Sequence, residues 1–239
     1  MKAWPTVVLV HGAFADAGSW APVTERLIAD GVPVTAIANP LRGVAADAAY
    51  VASRINQLEG PVLAVGHSYG GAIITNAVPQ TANVVGLVYV AAFAPDEGES
   101  LAGIIGRSED SVLTTAMLEY QYPTGRGQET ATELIIDPAK FREVFTADLP
   151  RQESEVYGRS QRPIVASALG EETTKVAWKY LPTWAAIGTA DRAAGSDVVR
   201  SMAQRADATI TEIEGSHVIM ISQPNAVTDV IESASVAVA

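Results

Sequence analysis

The hexapeptide Gly66-His67-Ser68-Tyr69-Gly70-Gly71 directly follows the apolar run Pro61-Val62-Leu63-Ala64-Val65. That order reads as strand, tight turn, helix, with a serine at the tip of the turn. A chain that turns so sharply strains the serine backbone, and side chains at Gly66 or Gly70 would collide with neighbouring backbone. Gly71 lets the helix lie close to the strand layer. The turn pushes the Ser68 hydroxyl out at the carboxyl end of the strand, where a helix N-terminus favours developing negative charge. A serine hydroxyl is a poor nucleophile until a base takes its proton. The chemistry on offer is therefore acyl transfer, provided a histidine comes within reach. The bland alternative is a glycine-rich turn whose serine only caps the helix.

Three histidines are present, His11, His67 and His217. His67 sits beside the serine, and its side chain is expected to point away along the turn. His11 follows the first strand, where a structural role bonding nearby backbone is expected. His217, in Glu214-Gly215-Ser216-His217, lies past the last strand in a loop that opens at the same sheet edge as Ser68. It is the expected base. The acid that orients it must also follow a strand. Asp191, in Gly188-Thr189-Ala190-Asp191-Arg192, has the chain order serine, acid, histidine and a glycine to leave the strand tightly. Asp96, with Glu97 beside it, follows the strand before and is the alternative. Two backbone donors must face the developing oxyanion. One is expected at the Tyr69 amide, the other in His11-Gly12-Ala13-Phe14, at Ala13 or else Phe14.

These residues need a scaffold. Thr6 to Val10, Pro33 to Ala38, Pro61 to Val65 and Val84 to Phe93 are apolar runs of strand length, and nearly continuous apolar strands belong to a parallel sheet covered on both faces. Between them lie helical patterns. Ser19 is expected to cap the first helix, with Pro22 in its first turn. Asp47 is expected to begin the second, with Val51, Ile55 and Leu58 at helical spacing. After an interruption from Asp96 to about Pro182 the alternation resumes: strand Thr183 to Gly188, helix Asp197 to Ala206, strand Thr209 to Ile213 and helix Ala226 to Ala234. The fold class is α/β, a doubly wound, mostly parallel sheet. One domain, 1-239, is expected, with core segments 1-95 and 183-239. The insertion, about 96-182, reads as a helical cap, its apolar clusters Met117-Leu118, Leu134-Ile135-Ile136 and Phe141 with Val144 and Phe145 suiting short helices. A surface lobe without a role in binding is the other reading.

Of 239 residues, 48% are hydrophobic, enough for a sizeable core. No cysteine is present, so disulfides and thiolate metal sites are excluded. A soluble cytoplasmic protein is expected, since no run is long enough to span a membrane. The net charge of −11 argues against nucleic acid and anionic membranes as partners. The insertion holds 15 of the 27 acidic residues and 9 of the 16 basic ones. That excess disfavours anionic substrates. Ile104, Ile105, Met117, Leu118, Phe141 and Phe145 are numerous enough to line an apolar pocket.

In order and spacing, His11-Gly12-Ala13-Phe14, Gly66-His67-Ser68-Tyr69-Gly70-Gly71, Gly188-Thr189-Ala190-Asp191 and Gly215-Ser216-His217 resemble the α/β-hydrolase superfamily. The likeness is to its compact group of plant methyl esterases, hydroxynitrile lyases and small bacterial esterases, and it covers both core segments but not the insertion. It implies a triad of Ser68, Asp191 and His217, an oxyanion hole at Ala13 and Tyr69, and neither cofactor nor metal. A serine at the elbow departs from the aspartate of dehalogenases and epoxide hydrolases. Val218 and Ala13 stand where hydroxynitrile lyases carry lysine and threonine, which disfavours cyanohydrin cleavage. The expectation is a serine esterase acting on a small, neutral, apolar ester or lactone, with a homodimer left open. The alternatives are a thioesterase, a cofactor-free perhydrolase, or a ligand-binding receptor with vestigial hydrolase activity.

Overall fold

The computed structural model describes residues 4–239. Six strands form one parallel sheet: β1 (Thr6–Val10), β2 (Val34–Ile37), β3 (Val62–His67), β4 (Val84–Val90), β8 (Thr183–Gly188) and β9 (Thr209–Ile213), in the order β2-β1-β3-β4-β8-β9. Reversal of strand order beside β1 makes the sheet doubly wound. β3 and β8 are buried at every position, as a strand covered on both faces must be. The covering helices are α1 (Ala21–Ala29), α2 (Val44–Ile55), α3 (Tyr69–Ala77), α7 (Ser196–Arg205) and α9 (Pro224–Ala237), the last preceded by the short α8 (Ile219–Ser222). α1 packs on α9, and α2 on α3. In α2 the buried positions Val44, Ala48, Val51, Ala52 and Ile55 form one helical stripe.

The start of α1 differs from expectation. Asp16, not Ser19, does the capping. Its carboxylate accepts the Gly18 amide at 2.8 Å ahead of a 3-10 turn, Ala17–Trp20, while the Ser19 hydroxyl donates to the Asp16 carbonyl at 2.7 Å. α2 begins one turn before Asp47, because Gly43, at φ +138°, turns the chain into the helix there. Asp47 is buried instead, accepting the Arg42 amide at 3.1 Å.

The insertion between β4 and β8 is not purely helical. It carries α4 (Leu101–Ile105), α5 (Phe141–Val144) and α6 (Arg151–Ser160), but also an antiparallel sheet of β5 (Met117–Pro123), β6 (Thr130–Ile136) and β7 (Ile164–Val165). Met117-Leu118 and Leu134-Ile135-Ile136 are thus strand residues. A hairpin turn with Gly125 and Gly127 at positive φ joins them. Glu99 anchors the insertion to the core, accepting from Arg205 and Arg107 at 2.7 Å each. Partial burial pushes this carboxyl up, yet those bonds bring it down to about 2.

Candidate active site

Register sets the site. Val10 pairs with Gly66, His67 with Val90, and Gly188 with Ile213. The loops after β1, β3, β8 and β9 therefore leave the sheet at one carboxyl edge. Ser68 follows β3 directly at φ +53°, ψ −124°, a strained conformation for a residue with a side chain. A Cβ on Gly66 would stand 2.6 Å from the Gly70 carbonyl carbon. The loop after β1 comes equally close, for a Cβ on Gly12 would stand 2.6 Å from Ser68 Cβ.

His217 Nδ1 lies 2.8 Å from Asp191 Oδ2, and both side chains are 1% exposed. The other carboxylate oxygen, Oδ1, accepts the amides of Ala193 at 2.9 Å and Ala194 at 3.0 Å. Asp191 is held by its own backbone too, donating to Ser196 Oγ, which donates in turn to the Gly188 carbonyl. With Nδ1–H given to the carboxylate, Nε2 is left with its lone pair, and it is buried without a hydrogen-bond partner. Asp96 lies elsewhere, 2.5 Å from Lys179 at the surface, and that bond lowers its pKa. Arg192 turns outward to Glu143 at 2.9 Å rather than to Asp191.

The remaining histidines have other partners. His11 donates Nδ1–H to the Gly12 carbonyl at 2.8 Å and accepts the Asn39 amide on Nε2 at 2.9 Å. Burial lowers its pKa to about 4, so it is neutral and shapes the loop after β1. His67 does not point away from the site: its Nε2 lies 3.0 Å from the His217 carbonyl oxygen.

Phe14 cannot serve the oxyanion through its backbone, because its amide donates to the Arg162 carbonyl of the insertion at 3.1 Å. Among the described residues the Ala13 and Tyr69 amides make no hydrogen bond. The Tyr69 ring points into the core, where its hydroxyl donates to Asp47 at 2.8 Å.

A cavity of about 60 Å³ lies between the core and the insertion, walled by Phe14, Phe141, Phe145, Tyr157, Val218 and Ile221 among others, with Asp16 its one charged side chain. The Phe145 ring closes it toward the histidine, with centroids 4.7 Å apart, and also packs on Phe141 at 5.1 Å and Phe14 at 6.2 Å. Of the six apolar residues of the insertion that could line a pocket or form its own core, Phe141 and Phe145 wall this cavity. Ile104 and Ile105 are core residues, Met117 packs half-buried against that core, and Leu118 is exposed on β5. Tyr157, on α6, carries no sequence signal for this role, since its partners come from distant segments.

The sequence profile of the alpha/beta hydrolase family matches residues 7–230. The chain belongs to this family. Among curated proteins none matches it in sequence. Solved structures with similar folds include polyneuridine aldehyde esterase, at 18% identity and TM-score 0.79, covering 97% of this chain and 99% of that one. An extracellular alpha/beta-hydrolase from a Paenibacillus species is 20% identical, with TM-score 0.75 and coverage of 97% and 99%. A pyrethroid hydrolase from Sphingobium faniae JZ-2 is 20% identical, with TM-score 0.75 and coverage of 96% of each chain. In the described residues of this alpha/beta hydrolase no helix is long and apolar enough to cross a membrane.

Proposed function

We propose that the chain is a serine esterase that cleaves a carboxylic ester or lactone of a small, neutral, apolar substrate through an acyl-enzyme on Ser68. The observation that carries this reading is the buried Asp191–His217 hydrogen bond at 2.8 Å, which leaves Nε2 unpartnered on a ring whose centroid lies 4.7 Å from that of His67 in the elbow. In the proposed reaction Nε2 takes the Ser68 proton as Oγ attacks the carbonyl carbon. The Ala13 and Tyr69 amides receive the developing oxyanion. The imidazolium, held by Asp191, then protonates the leaving alkoxide, and water releases the acyl group by the same steps in reverse. The wall of Phe14, Phe141, Phe145 and Val218 supports an apolar substrate group. Two neighbours of the same fold are by name an esterase and a hydrolase, which agrees with the reading.

The test is turnover of p-nitrophenyl esters and lactones, with acyl thioesters beside them. Ser68→Ala and His217→Ala are each expected to lower kcat by about 10⁴ or more. A sulfonyl fluoride is expected to modify Ser68 alone. Binding without sustained turnover would instead identify a receptor, and preference for thioesters a thioesterase.

A further inference from the structure

Asp148 stands in the cap between α5 and α6, yet its carboxylate reaches the loop that carries His217. Oδ2 accepts the Ser216 amide at 2.9 Å, and Oδ1 accepts the Ser216 hydroxyl. The Phe145 carbonyl lies 3.3 Å from that same hydroxyl. Ser216 is buried. The loop is shaped for this contact, because a Cβ on Gly215 would stand 2.9 Å from Asp148 Oδ2. Partial burial pushes the Asp148 carboxyl up, but the hydrogen bonds from Ser216 and Ser222 hold it below its ordinary value.

The core already ties the preceding part of this loop to β8, through the Thr189 amide on the Ile213 carbonyl at 3.0 Å and the Ala190 amide on the Gly215 carbonyl at 2.9 Å. Asp148 adds a bond from the cap at the residue next to the histidine. We infer that Asp148 is a positioning residue for His217: it clamps Ser216, fixes where the imidazole Nε2 stands, and keeps the cap turn that bears Phe145 against the ring. The inference rests on the proposed role of His217 as base. Asp191 and His67 hold the histidine from the core; the consequence is that the seated cap refines its register, so that the cap contributes to the chemical step as well as to the pocket. A displacement of about 1 Å in a reacting group costs up to ~100-fold in rate.

The experiment compares Asp148→Ala, Asp148→Asn and the exposed control Glu59→Gln with the unaltered protein, using p-nitrophenyl acetate turnover and the NMR resonance of the His217 Nδ1 proton. Asp148→Ala is expected to lower kcat by ~10- to 100-fold with KM changed less than ~3-fold, and to shift or broaden that resonance. Asparagine keeps an acceptor for the Ser216 amide and is expected to restore most of kcat. If the alanine variant does not fold, Gly215→Ala, which displaces the carboxylate, is expected to give the same kcat loss. A folded Asp148→Ala protein with unchanged kcat and an unmoved resonance overturns the inference. Full activity in Ser68→Ala would overturn the esterase reading instead, and the resonance would still decide whether Asp148 positions the ring.

Discussion

His67 donates its Nε2–H to the carbonyl oxygen of His217 across 3.0 Å. A carbonyl only accepts, so the proton sits on Nε2 and the buried Nδ1 keeps its lone pair without a partner. Burial drives the His67 pKa well below its ordinary value, and the neighbouring His217 adds to the effect. The ring is therefore a neutral strut, packed edge-on to Trp20 at 6.3 Å and to Phe145 at 6.4 Å. His67→Ala removes the donor and opens a cavity, and the expected cost is about 3 kcal/mol of stability. Its kcat loss is expected to stay far below the ~10⁴ of His217→Ala. Urea unfolding and steady-state kinetics on the two variants check this; an unchanged urea midpoint for His67→Ala would rule the strut out.

Asp191→Asn keeps the shape of the pair but gives the imidazole a partner that no longer favours Nδ1–H. A loss of about 10⁴ in kcat is expected, with KM little changed. Asp96→Asn breaks only a surface pair with Lys179, worth about 0–1 kcal/mol, and full activity is expected. Should Asp96→Asn be the crippled variant, the orienting acid would have to be sought before the insertion.

Legibility followed burial. β1, β3, β4 and β8 are covered by helices, so their sequences are apolar runs and their positions follow from composition alone. The elbow is legible because Gly66 and Gly71 meet backbone within 2.6 Å and 2.5 Å, contacts that leave no choice of residue. The cap hairpin is different. Four successive residues of β5, Leu118 to Gln121, are exposed, so no buried face imprints a period of two, and a short apolar cluster does not separate strand from helix. Gly125 and Gly127 between β-branched and aromatic residues were the available hairpin signal. The Phe14 amide on the Arg162 carbonyl joins residues far apart in sequence, as does Asp148 on Ser216. A pairwise contact of that kind leaves no pattern in a single chain.

Acid is expected to unfold the protein over a defined window. Burial lowers His11 from 6.5 to about 4 and also drives His67 well below its ordinary value, so the unfolded chain binds these protons first. The stability they contribute is complete above pH 6.5 and falls as pH drops from there toward 4, by ~3 kcal/mol for His11 alone at 1.36 kcal/mol per unit. Glu99, lowered from 4.5 to about 2, extends the loss below pH 4.5. Asp47 works in the opposite direction: burial raises its pKa, so its neutral form is favoured in the fold and its contribution is lost as pH rises. Two histidines against one carboxyl give a net fall. Urea midpoints between pH 7 and 4.5 should drop steadily, and a level profile there would refute this assignment.

Phe145 separates the cavity from His217, with its ring 4.7 Å from the imidazole. A cavity of about 60 Å³ has room for only a short apolar group. Phe145→Ala joins the space of the removed ring to it, so longer chains gain apolar contact that the native wall denies them. The ratio of kcat/KM for a p-nitrophenyl octanoate over the acetate is expected to rise ~10-fold in this variant, within the range of hydrophobic pocket discrimination. Acetate turnover is expected to fall at the same time, because the ring also buttresses His217. Charge should be unaffected: Asp16 in the wall and the net −11 still disfavour anions, so a succinate half-ester is expected at least ~10-fold below its neutral counterpart in both proteins. An unaltered chain-length preference in a folded Phe145→Ala protein would mean that the acyl group enters by another face of the site, and the aromatic wall under the cap would then be core packing.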